Sequence, residues 1–77
     1  MNKARRKAIE EIVDQLGELK EQVELLSEEE QEAYDNLPES IQYSERGEAI
    51  GENATDLEDA ASSIDDVMST LQGIIER

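Results

Sequence analysis

Apolar residues recur along this chain in steps of three and four. In the first half the stripe is Ile9, Ile12, Leu16, Leu19, Val23, Leu26, Glu30, Ala33 and Leu37, an a/d heptad seam with one polar break at Glu30. In the second half Ile50, Ala54, Leu57, Ala61, Ile64, Met68, Leu71 and Ile75 follow the same rule. Positions outside the stripes are mostly Glu, Gln, Asp, Lys and Ser, which suits solvated helix faces. The pattern predicts helix one over about residues 3–35 and helix two over about 45–76. Each would be roughly 50 Å long at a rise of about 1.5 Å per residue.

The segment between them, about residues 36–44, reads as a turn. Pro38 disfavours a helical Leu37 and removes a backbone donor, so helix one stops before it. Ser44 is placed to cap helix two, with Glu45 and Glu48 in the first turn, where the helix dipole favours them. Gly47 is awkward so early in a helix and implies a close contact with a neighbouring helix. With Ala54 and Ala61 it makes a row of small residues at heptad spacing. A short connection between two equal helices makes them antiparallel neighbours. The expected fold is therefore all-α: a single domain over residues 1–77, an antiparallel, coiled-coil-like two-helix hairpin.

A lone hairpin offers only one narrow apolar contact against the entropy of ordering the chain. Apolar residues also fall outside the seams: Val13 and Leu25 beside the first, Ala60, Val67 and Ile74 beside the second. A wider stripe suits a four-helix bundle, so these five are expected at the interface of a homodimer of hairpins. The competing expectation is a marginal monomer that becomes ordered on its target.

Charge adds a second pattern. The 77 residues carry 21 acids and 7 bases, a formal net charge of −14. Twelve of the acids lie between Glu28 and Asp59, where Arg46 is the only base, so this stretch holds −11 of the total. In a hairpin it becomes the turn end of a rod. Lys3, Arg5, Arg6 and Lys7 gather at the other end. They read either as charge partners for the end of helix two and for Glu10 and Glu11, or as a contact for an anionic surface. Four bases beside an acidic body make a weak phosphate-binding footprint, so direct nucleic-acid binding is not expected.

The sequence argues against catalysis. It has no cysteine and no histidine, which removes thiolate metal sites, disulfides and the usual general base. No phosphate-binding glycine loop, nucleophile elbow or calcium loop occurs, and no cofactor or metal is expected. No run approaches the apolar length of a membrane span, and no signal-peptide core follows the basic Met1–Ile12 stretch, so a cytoplasmic protein that leaves membranes alone is expected.

Arg5-Arg6-Lys7 followed by Ile9, and the segment from Glu29 to Glu48 with its Tyr34-Asp35-Asn36-Leu37-Pro38-Glu39-Ser40-Ile41 turn, resemble a group of small acidic helical proteins encoded by phages and mobile elements of Gram-positive bacteria. The resemblance spans nearly the whole chain, and its specific part is the turn. It implies a phage or bacterial cytoplasmic origin and supplies no activity.

Two functions fit. In the first, the chain blocks a basic, nucleic-acid-binding surface of a host protein, such as a defence nuclease, by acidic mimicry. Its candidate contacts are Glu28, Glu29, Glu32, Asp35, Glu39, Glu45, Glu48 and Glu52, with Tyr34 or Tyr43 as an aromatic anchor. The same tyrosines, with Leu37 and Ile41, could instead plug the end of the bundle. In the second, the chain is an architectural or adaptor dimer whose acidity serves solubility.

Overall fold

The chain reverses at Pro38. The computed structural model describes residues 1–77 as α1 (Lys3–Asp35), α2 (Glu39–Gln42) and α3 (Glu45–Glu76). The two long helices have the expected bounds; the single-turn α2 inside the connection was not foreseen.

Each boundary has a local cause. Asn2 caps α1: its backbone is extended and its side-chain oxygen accepts from the Arg5 N–H at 2.8 Å. At the far end, the N–H groups of Asn36 and Leu37 donate to the carbonyls of Glu32 and Tyr34. Pro38 cannot donate, but its carbonyl accepts from Ile41 at 2.8 Å and Gln42 at 3.1 Å, which winds α2. The Gln42 side chain donates to the Tyr34 carbonyl at 3.1 Å and ties α2 back to α1. Ser44 caps α3 as its sequence position implies: Oγ accepts from the Gly47 N–H at 3.3 Å and donates to the Ile41 carbonyl at 2.5 Å.

α1 and α3 pack antiparallel along their length, giving a rod of 58 × 15 × 13 Å. The register is fixed by cross-helix contacts. Ser27 Oγ donates to the Ala54 carbonyl at 2.8 Å, Lys20 Nζ meets Asp65 Oδ1 at 3.2 Å, and Asn53 Nδ2 reaches Glu30 Oε2 at 3.4 Å.

The seam of α3 is the expected one; every member from Ile50 to Ile75 is buried or half-buried. The seam of α1 differs. Ile9, Leu16, Val23, Glu30 and Leu37 face inward, but the alternate positions are Arg6, Val13, Lys20, Ser27 and Tyr34. The expected Ile12, Leu19, Leu26 and Ala33 are exposed instead. The reason lies in α3. Ala54 and Ala61 are buried and small, and α1 comes close enough there for the Ser27 hydroxyl to reach the Ala54 carbonyl. A serine, a lysine that can reach outward and a tyrosine set against Gly51 fit that narrow gap.

The hairpin interior therefore has two unlike rows. The closed row sets Val13, Lys20, Ser27 and Tyr34 against the side of α3 that carries Met68, Ala61, Ala54 and Gly51, and it holds the three buried apolar residues Val13, Ala54 and Ala61. The open row, Ile9, Leu16 and Val23 with Leu57, Ile64 and Leu71, is only half-buried throughout. Val13, expected at a dimer interface, lies inside the hairpin, where the small α3 residues admit it. Gly47 is also explained differently from expectation. A Cβ there would collide with the carbonyl oxygens of Ile41 and Gln42, so the close approach is to α2, not to α1.

Candidate protein-interaction surfaces

The reversal at Pro38 sets the last turns of α1 beside the first turns of α3. Glu28, Glu29, Glu32 and Asp35 come from α1, Glu39 from α2, and Glu45, Glu48 and Glu52 from α3; all eight are exposed. Glu45 and Glu48 occupy the first turn of α3, where unpaired backbone N–H groups favour negative charge. Asp35 accepts from Gln31 at 3.0 Å, and none of the eight forms a salt bridge. Their charge is therefore uncompensated within the chain.

The two tyrosines divide the roles expected of them. Tyr34 turns inward, its ring against Gly51. Tyr43, at the tip, is 74% exposed. Leu37 is half-buried under the turn and Ile41 is 37% exposed. One aromatic thus packs between the two long helices while the other stands exposed at the tip.

At the opposite end, Lys3, Arg5, Arg6 and Lys7 make no salt bridge, neither with Glu10 and Glu11 nor with Glu76. Their expected pairing with the end of α3 does not form. Arg6 enters the closed row, where its Nε is buried without a partner. The only base engaged by acids is Lys20, bridged to Glu24 and Asp65. The hydrogen bond that Lys20 donates to Asp65 holds its ammonium above the ordinary value of 10.5, against the opposing pull of partial desolvation.

The long sides of the rod differ from each other. Beside the closed row the groove is lined by Glu10, Asp14, Glu24, Glu28, Glu58 and Asp65. Beside the open row stand Ile12 at 46%, Leu19 at 51%, Leu26 at 49% and Val67 at 50% exposure, with Ala60 also exposed and Ile74 half-buried. Ala60, Val67 and Ile74 were singled out from sequence; Ile12, Leu19 and Leu26 were missed because they were assigned to the hairpin seam. Leu25 is exposed but lies on the outer face, one position further round α1. The readable signal was that α1 carries two adjacent apolar columns, one more than a single neighbour covers.

The grooves between the helices are shallow and open, and no group of three or more acids is arranged to hold a metal ion. No helix is long and apolar enough to cross a membrane. No family model matches the chain, and the searches of curated proteins and solved structures gave no match.

Proposed function

We propose that this chain is a non-enzymatic protein-binding module whose turn end occupies a basic, nucleic-acid-binding surface of a host protein, such as a defence nuclease. The observation that carries this reading is that eight exposed carboxylates without a salt bridge, on three helices, lie toward the turn end that also carries the exposed ring of Tyr43. Carboxylates one helical turn apart, about 5.4 Å, present a phosphate-like row. Lysines and arginines paired to that row are no longer free to hold nucleic acid, while the tyrosine ring adds desolvated area. A bacterial cytoplasmic setting for the complex is part of this proposal, and the resemblance of the turn to phage and mobile-element proteins is what supports it.

The test is a triple reversal, Glu45→Lys, Glu48→Lys and Glu52→Lys, used beside the unaltered protein to capture host proteins at moderate salt. Proteins retained by the wild type should be lost with the variant while its helical circular dichroism persists. Equal retention by both would remove the mimicry reading. A second reading, an adaptor dimer, is favoured by the exposed Ile12, Leu19 and Leu26. Under it, partner capture survives the charge reversals and is lost on Leu19→Glu.

A further inference from the structure

The side of the rod beside the open row has no occupant in the hairpin. We infer that it is covered by a second copy of this chain, laid antiparallel across a two-fold axis near Leu19, so that the open rows of both hairpins become the core of a four-helix bundle. This goes beyond the reading of the acidic turn end and does not depend on it.

Three observations select this face and this occupant. The first is packing. The small residues of α3 seal the closed row, while the large aliphatic residues of the open row stay half-buried along the full rod. Ile12, Leu19 and Leu26 on α1 and Ala60, Val67 and Ile74 on α3 then flank that row on the same side. Asn53 reaches Glu30 on that side, and Leu57 lines the same groove, which sets these flanks of the two helices together. This is the wide apolar stripe of a bundle helix, not the narrow seam of an isolated pair. A strip roughly 45 Å long and about 15 Å wide offers each copy roughly 700 Å², near the size of a stable protein interface.

The second is the distribution of charge over the face. Its outer flanks in the middle of the rod are Gln15, Gln22, Ser63 and Thr70, all uncharged. A basic partner helix would find no acid to pair with there. The acidic groove lies on the opposite side and stays in water when two copies close on this one.

The third is polarity from end to end. At the free end the face carries Arg5 and Arg77; at the turn end it carries Glu29, Glu30 and Asp56. Arg5 has no carboxylate within salt-bridge distance in the hairpin. An antiparallel second copy brings Arg5 level with the partner copy's acidic end, and Ile12 level with its Leu26. A parallel copy would set like charges together at both ends.

The experiment is sedimentation equilibrium of the full chain at micromolar concentration, with distances from paired spin labels on Ala4→Cys. The chain has no native cysteine, so the label is unique. The expected mass is twice 8.7 kDa. The expected label separation along the rod is roughly 45 Å, twice the rise from position 4 to the axis near Leu19 at about 1.5 Å per residue. Leu19→Glu with Val67→Glu should give a monomer, whereas Leu25→Glu, on the outer face, should leave the dimer intact. A monomeric wild type overturns the proposal and would leave the face to a different protein. A dimer that survives Leu19→Glu with Val67→Glu overturns the choice of face. A short separation between the labels overturns the antiparallel arrangement.

Discussion

Gly47 shows how a residue can be flagged by sequence for one reason and required for another. Its φ is negative, so the backbone conformation does not demand glycine. Space does: a Cβ would lie 2.5 Å from the Gln42 carbonyl oxygen and also strike that of Ile41. Both obstacles are backbone, held by the α2 turn and by the Ser44 cap. Gly47→Ala should therefore lower the unfolding free energy by about 2 kcal/mol, despite the better helix propensity of alanine. Gly73→Ala, where a Cβ meets nothing within 4 Å, should raise it by about 0.5–1 kcal/mol. Urea denaturation followed by circular dichroism reads both; the same sign for the two changes would show that the α2 contact does not constrain Gly47. Ser44→Ala belongs with them, because it removes the acceptor for Gly47 and should cost about 1 kcal/mol in the same measurement. Lys20 adds a pH dependence of its own. Its proton is held more tightly in the folded chain, so its contribution is complete at neutral pH and is lost as pH rises through and beyond 10.5.

At the level of elements, the helix limits were legible and the rotation of α1 was not. Pro38 and Ser44 act through the local backbone, and their effect can be read without knowing what packs where. The α3 seam was also legible, since its apolar residues at alternating steps of three and four are the ones that face inward. On α1 two apolar columns lie side by side, and periodicity alone selects the more hydrophobic one. The structure turns that column outward because Ala54 and Ala61 draw α1 too close for Leu19 and Leu26, and accept Ser27 and Lys20 instead. The acidic turn end was readable from charge counting once the reversal was recognised, whereas the apolar side depended on this rotation. The close approach gives a direct test. Ala54→Leu or Ala61→Leu should push the helices apart at a buried site and lower stability by about 1–3 kcal/mol. In the monomeric Leu19→Glu, Val67→Glu background, Ala60→Leu adds the same atoms on the exposed side, where there is room, and should not destabilise the hairpin. Equal losses at Ala60 and Ala61 would mean that the closed row is not closed.

For the whole molecule, the question is how a chain with a net charge of −14 stays folded with so little buried. Only one native ion-pair cluster exists, around Lys20, and it is exposed, so attraction within the hairpin offsets little of the repulsion. Closing two copies would double the total charge while leaving the acidic groove and the turn-end carboxylates facing water. The attraction between Arg5 of one copy and the acidic end of the other works against this, but it involves few charges. Screening should therefore help more than it harms. Raising sodium chloride from about 10 mM to about 1 M shortens the screening length from about 30 Å to about 3 Å, well within the dimensions of the rod. The melting temperature should rise by several degrees. The triple reversal at Glu45, Glu48 and Glu52 separates charge repulsion from a general effect of salt on apolar burial. Each change removes a negative charge and adds a positive one, so the variant carries −8 instead of −14. If repulsion at the turn end is the cause, the variant should melt higher than the wild type at low salt and gain less from added salt. Parallel salt curves for the two proteins would assign the gain to the apolar core and leave the clustered carboxylates without a stability cost.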